Sequence, residues 1–414
     1  MQSLKFNYYD EFACTGPDCE DSCCKHWQIY LTRREYLDYK KMECSPELKS
    51  VIDSAFKRDK QGSDAHYAKM KLNEDGNCPF LDEDRLCMLQ KEKGESVLTA
   101  VCSIFPRNWA NVGNKAIAFT MTPTCYHVVE LLMKHPEGLA LIEEEYDGKN
   151  KWINLNRWSG KILLSTDKTY PYIWTIKNAQ LDILQNRDFT IAERMLILGY
   201  YTKKVAEYLE STPEKIPQLG AMMLDKELIT KISDSLKTSQ SDIQATAKSA
   251  DILFKLTDHI RSSAPEQHAT RLLDIMADSV ELKYEVQYSA GEDVKYTVNF
   301  SNDAYAKNRE IYEKIEKERP YIIENLLVTL AFSAFSKDNG DLWADYFSLV
   351  VLYNFLKTGV AAFLPESFTD KELAMAITNI VKILLNSGLA RNVVMRDFAA
   401  HGATSLSHVA FLIS

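Results

Sequence analysis

No cysteine occurs after Cys125, although the chain runs to residue 414. The long C-terminal part therefore has no thiol with which to build a metal site or a disulfide of its own. Basic charge is not in excess either. Lysine and arginine number 49 against 58 aspartates and glutamates, for a net charge of −9. A nucleic-acid binder normally presents a basic face, so that class is not expected. The N-terminus, MQSLKFNYYDEF, lacks the basic start and apolar run of a secretory leader. The apolar stretch from Ile322 to Phe335 is too short to cross a bilayer, and the one from Phe347 to Leu364 carries Lys357. Both read as buried helices, and the expectation is a cytoplasmic protein without a membrane partner. No strand is followed by G-x-G-x-x-G, so no dinucleotide-type donor fold is visible. Internal repeats and low-complexity linkers are missing too.

What is present is a cluster. All nine cysteines lie in the first 125 residues. Eight of them form the pattern Cys14-x4-Cys19-x3-Cys23-Cys24, then Cys78-x8-Cys87, Cys102 and Cys125. In a reducing cytoplasm such clustering points to a metal centre rather than to disulfides, and the odd count and the adjacent Cys23–Cys24 pair agree. Thiolates are soft ligands that favour zinc or iron–sulfur clusters. Zinc fingers usually show C-x2–4-C pairs, and no C-x2-C occurs here. Eight thiols exceed the needs of one four-ligand centre, so either two centres exist or some thiols pack nearby without ligating. Cys44 fits no pattern and reads as an ordinary thiol. His26, two residues after the vicinal pair, can ligate, pack or hydrogen-bond.

The remaining pattern is mainly helical. Thr32 with Glu35 forms a capping box for a helix through about Met42. Residues Asp82 to Asp84 suggest a turn that brings Cys78 and Cys87 together. Arg107 to Val112 and Lys115 to Met121 read as a hairpin turning at Gly113-Asn114. Thr124 is expected to start a helix with Cys125 in its first turn. From about residue 135 onward helices dominate, with capping boxes at Thr190–Glu193 and Thr369–Glu372, the latter helix stopping near Asn386-Ser-Gly388. One hairpin interrupts them: Tyr284, Val286 and Tyr288 alternate, Ser289 to Asp293 turns, and Val294 to Phe300 alternates again. The expected fold class is therefore mainly α. A small irregular cysteine-rich metal-binding N-terminal domain (residues 1–134) packs on a helical domain (residues 135–414) containing one β-hairpin near 282–300.

Taken together, Phe12-x-Cys14-x4-Cys19-Glu20-x2-Cys23-Cys24-x2-Trp27, Cys78-Pro-Phe-Leu81 and Cys102-x2-Phe105-Pro-Arg107 resemble the flagellin lysine-N-methylase family of bacteria. Tyr170-Pro-Tyr-Ile-Trp174 and Leu184-Gln-Asn-Arg187 are similar to that family's helical region. The resemblance implies a cytoplasmic enzyme that methylates lysine ε-amino groups of flagellin, uses S-adenosylmethionine and carries a 4Fe–4S cluster, and the clustering makes Cys14, Cys19, Cys23, Cys24, Cys78, Cys87, Cys102 and Cys125 the residues from which its ligands are expected to be drawn. The chain departs from the radical C-x3-C-x2-C signature, because His26 stands at the third place. In-line displacement by a neutral lysine is the simpler chemistry. A free lysine has a pKa near ~10.4, so the site must desolvate it or supply a carboxylate or tyrosinate base. No catalytic residue is singled out among the 21 tyrosines. Arg107, beside the cysteine segment, has the fork geometry to bind the donor's carboxylate, or to make a structural salt bridge. A second reading from another class is a non-catalytic zinc- or iron-chelating sensor whose helical domain binds a partner.

Overall fold

The computed structural model describes residues 2–25, 28–112, 116–146, 168–237, 250–255, 267–287, 295–333, 342–385 and 406–413. Helices predominate, as the periodicity predicts. The N-terminal part holds more sheet than expected. β1 (Gln2–Phe6) lies between two strands distant in sequence. It runs parallel to β6 (Ala116–Met121) and antiparallel to β7 (Leu141–Glu145). β5 (Arg107–Val112) pairs antiparallel with β6 in the expected hairpin, giving the order β5-β6-β1-β7. The turn at Gly113-Asn114 lies outside the described residues. All six residues of β6 are buried, because neighbouring strands flank both of its edges and both of its faces are covered. β7 is a strand that the helical periodicity did not mark, within a part that is otherwise mainly helical as expected.

A second, three-stranded antiparallel sheet joins β2 (Tyr30–Leu31), β4 (Ala68–Met70) and β3 (Phe56–Arg58). Beside it α1 (Arg33–Lys41) starts at Thr32, whose side chain accepts from the Glu35 N–H while the Glu35 carboxylate accepts from the Thr32 N–H at 2.8 Å. That reciprocal bonding satisfies two of the helix's orphan donors. α2 (Pro46–Ser54) follows, capped by Ser45. These elements enclose a small core of Leu31, Tyr39, Ile52, Phe56, Met70, Phe80 and their neighbours.

The larger core takes Leu4 and Phe6 of β1 together with the helices. α6 (Ile173–Gln185) and α7 (Ile191–Ser211) pack on the apolar helices Pro320–Ser333 and Leu342–Gly359. The stretch Leu342–Phe363 is long and apolar enough to cross a bilayer, but 78% of its most apolar 18-residue window is buried inside the fold, so it serves here as a core helix. Asn325 on Pro320–Ser333 donates to the Leu132 and His135 carbonyls at 2.9 and 2.8 Å. That anchors the end of α5 (Tyr126–Leu132) to the helices. The second hairpin forms as expected, from β8 (Lys283–Gln287) and β9 (Lys295–Asn299), while Tyr288 and the turn at Ser289 to Asp293 lie outside the described residues. The expected stop at Asn386 to Gly388 lies outside them as well.

Candidate metal centre and helical cleft

None of the nine cysteines is in a disulfide. Cys14 and Cys23 are exposed, Cys78 is buried, and the others are half-buried. Their positions follow from local structure. The Cys24 carbonyl accepts from the Cys78 N–H at 2.7 Å, next to a β-bridge between Lys25 and Asn77. Cys87 is bridged to Leu81 across the turn expected at Asp82 to Asp84. Within that turn the Asp82 carboxylate accepts from the Leu86 N–H at 2.8 Å. Arg85 takes a φ of 62°, in the left-handed region. Cys102 sits in α4 (Ala100–Ile104), capped by Thr99. The first N–H of α4, at Ala100, donates to Glu35 at 2.9 Å, so one carboxylate serves the ends of α1 and α4 together. Cys125 is the residue before α5 rather than inside its first turn, because Tyr126 is the first to adopt helical geometry.

Cys24, Cys78, Cys87 and Cys102 all lie against the smaller core. Cys78, Cys87 and Cys102 are each raised further by the charges of others in the set, and all three raise Tyr39 too. Cys19 and Cys125 instead lie against the larger core, and the charge of Cys14 raises both. The Cys23 thiol bonds Cys24 and is raised by that bond, by burial and by the charges of Cys24, Cys102 and Cys125. Burial pushes the Cys102 and Cys125 thiols up to about 12, and raises Cys19, Cys78 and Cys87 as well. Cys24 is the exception, lowered to about 7 because the Cys23 thiol hydrogen-bonds its sulfur. Packed thiols with raised pKa values ionise readily only when a nearby cation offsets the charge, which is what a bound metal provides.

Among the described residues, no three His, Cys, Asp or Glu side chains stand close enough to hold a single metal ion as they are. One tetrahedral zinc, with Zn–S near 2.3 Å, draws its sulfurs to within ~4 Å of one another. A polynuclear iron–sulfur cluster takes one thiolate per iron and spreads its ligands more widely. The soft, all-thiol donor set fits such a cluster. His26 and Trp27 lie outside the described residues. Cys44 is half-buried, and its thiol donates weakly to the Met42 carbonyl at 3.8 Å. Arg107 opens β5 with its guanidinium 4.9 Å from the centre of the Phe12 ring, a cation–π contact beside the Cys14 loop.

The cysteine loop is tied to the helices. Lys371 reaches Glu20 at 2.9 Å, and Lys382 is bonded to Asp21. Both lysines belong to the helix Asp370–Leu385, which the Thr369–Glu372 capping box opens. On the helical side lies a cleft of about 650 Å³, a normal size for a small-molecule site. Arg187, Arg194, Arg309, Tyr312, Glu316 and Tyr353 are among its lining residues. The Tyr353 hydroxyl donates to Glu316 at 3.2 Å, and the Tyr312 ring meets Tyr353 edge-on at 6.1 Å. Burial holds both phenols well above their ordinary pKa, so they stay protonated. Sequence reasoning missed this cleft. Its residues come from helices separated by more than a hundred positions, and no short motif marks them.

A family model described as the FliB lysine N-methylase C-terminal domain matches residues 178–412, more than half of the chain. The chain is 32% identical over 139 residues to the flagellar biosynthetic protein FliU of Salmonella muenchen, covering 33% of this chain and 80% of that protein. It is 33% identical over 138 residues to the Lysine-N-methylases of Salmonella typhimurium and Salmonella choleraesuis. Those two alignments cover 33% of this chain but only 34% of each relative's length. No solved structure matches.

Proposed function

Since the chain belongs to the FliB lysine N-methylase family, we propose that it transfers methyl groups from S-adenosylmethionine to lysine ε-amino groups of flagellin, in the cytoplasm. The observation that carries this reading is the family match across the helical region, joined in one chain to the N-terminal thiol cluster. An iron–sulfur cluster on those thiolates belongs to the same proposal. When bound it would contribute a redox-active, polarisable centre and cross-link loops that have little core of their own.

S-adenosylmethionine would supply an electrophilic methyl group on a sulfonium, which a neutral amine takes with loss of a thioether and then of one proton. The chain's residues have two tasks, to align the amine and to accept its proton. The helical cleft is the place we assign to the lysine. Tyr312 and Tyr353 offer apolar walls for its alkyl stem. Their raised pKa values remove tyrosinate as the base and leave the Glu316 carboxylate, which Tyr353 already orients. Arg107 is our candidate for the donor's carboxylate on the cysteine side.

The test is mass spectrometry of purified flagellin after incubation with anaerobically prepared protein and S-adenosylmethionine. Lysine-borne increments of one methyl group each are expected, and loss of most of that activity in Glu316→Gln. Unmodified flagellin after incubation with folded, metal-loaded protein would refute the assignment. Such a result would favour the chelating, partner-binding reading.

A further inference from the structure

We propose that the Tyr312 hydroxyl is a second acceptor for the substrate amine in the helical cleft, and that with Glu316 it limits how many methyl groups one lysine receives. The inference rests on the placement of the lysine in that cleft and adds a residue that governs the product.

The first observation behind it is an unsatisfied group. Tyr312 is 1% exposed and lines the cleft, and its hydroxyl has no hydrogen-bond partner among the described residues. Buried hydroxyls are nearly always paired, so one that borders a cleft is open to an occupant. The second is the contrast with its neighbour, since the Tyr353 hydroxyl is already committed to Glu316 at 3.2 Å. The third is placement. Tyr312 and Glu316 lie four residues apart on the helix Asn302–Glu318, so both side chains leave the same face. Burial, Tyr353 and Glu316 all push the Tyr312 phenol up, so it stays a neutral hydroxyl, yet neither neighbour meets it at hydrogen-bonding geometry.

The consequence follows from counting hydrogens. A neutral primary amine has two N–H groups and one lone pair, and the lone pair must point at the sulfonium methyl. The Glu316 carboxylate and the Tyr312 oxygen take the two N–H groups and leave the lone pair aimed. In the transfer the N–C bond forms and the S–C bond breaks, its electron pair staying on sulfur. The resulting ammonium then loses one proton to Glu316. The secondary amine keeps a single N–H. Aiming its lone pair again presses the new methyl group against the Tyr312 oxygen or the Glu316 carboxylate and leaves a buried polar group without its partner. Further transfer to the same lysine is therefore disfavoured.

The test is mass spectrometry of flagellin peptides after incubation with S-adenosylmethionine and anaerobically prepared wild type, Tyr312→Phe or Tyr353→Phe. At completion Tyr312→Phe should leave one methyl group more per modified lysine than the wild type does. Its first transfer should slow by roughly 2- to 10-fold, the worth of one ordinary hydrogen bond. Its thermal midpoint should not fall, because the lost hydroxyl had no partner. Tyr353→Phe should slow transfer without raising the count. An unchanged count in Tyr312→Phe beside an active wild type would overturn the inference and leave methyl transfer standing. Trimethyllysine from the wild type would do the same. A count raised equally in Tyr353→Phe would trace the effect to loosened packing, and a lowered midpoint in Tyr312→Phe would give the hydroxyl a structural partner; either would overturn the inference. Flagellin left unmodified by the wild type would defeat the proposed function, and this inference with it.

Discussion

Replacing Glu324 by alanine should destabilise the helical region by about 3–5 kcal/mol, the usual consequence of leaving a buried charge without its partner. The Glu324 side chain is 1% exposed and accepts from two arginines 130 and 137 residues earlier in the chain. Arg194, 5% exposed, donates to it at 2.7 Å and also to the Leu184 and Phe189 carbonyls at 2.7 and 2.8 Å. Arg187 donates from Nε and Nη2 at 3.0 and 2.8 Å but is 44% exposed, so solvent screens it and its share is below about 1 kcal/mol. Most of the loss therefore comes from the Arg194 cation, which would keep only carbonyl partners. With a urea slope of about 3 kcal/mol/M, the midpoint should fall by roughly 1–1.7 M, read by far-UV circular dichroism. Arg187→Ala should shift it far less. Glu324→Met combined with Arg194→Met should regain most of the loss, since two apolar side chains need no partner. An unchanged midpoint in Glu324→Ala, or a double variant weaker than the single, would show that the network does not clamp Pro320–Ser333 to the α6–α7 turn.

Lys177 on α6 is buried, donates to the Ala331 carbonyl at 2.8 Å, and is lowered by burial from 10.5 to about 8. The unfolded chain then binds more protons than the folded one between about pH 8 and 10.5, so stability should rise over that interval by up to roughly 3 kcal/mol. Denaturation midpoints of Lys177→Met should lack this rise, and equal pH slopes in the two proteins would refute it. Gly199→Ala should destabilise despite alanine's better helix propensity. The added Cβ would lie 2.6 Å from Leu406 Cδ1 and collide with the buried Tyr346 hydroxyl, an overpacking cost of about 1–3 kcal/mol. A raised thermal midpoint would contradict it. Lys382→Ala removes the Asp21 partner, so hydrogen exchange at residues 18–25 should quicken while α6 and α7 stay protected. Uniform exchange would mean that the loop does not dock through this pair. Arg107→Lys keeps the charge but loses the fork, so calorimetry on anaerobic protein should find weaker S-adenosylmethionine binding. Unchanged affinity would leave Arg107 to its stacking on Phe12.

Features that depend on a few neighbouring residues could be read directly from the sequence. The three capping boxes at Thr32, Thr190 and Thr369 each close between residues three apart, so their chemistry is local and complete in the sequence. The β5–β6 and β8–β9 hairpins likewise join strands that follow one another. The thiol cluster was legible because cysteine is scarce and confined to residues 14–125. Partner choice over long separations was not. β1 pairs with β6 more than a hundred residues away and with β7 further still, and an apolar N-terminal strand carries no mark of either. Burial of Glu324 beside Arg187 and Arg194 follows from how three helices meet, since each residue alone reads as an ordinary surface charge. The cysteines show the division most clearly. Spacing says that Cys23 and Cys24 share a neighbourhood. Only the tertiary structure sets Cys24 against Cys78, because the β-bridge that orients Cys24 is made with a segment over fifty residues away.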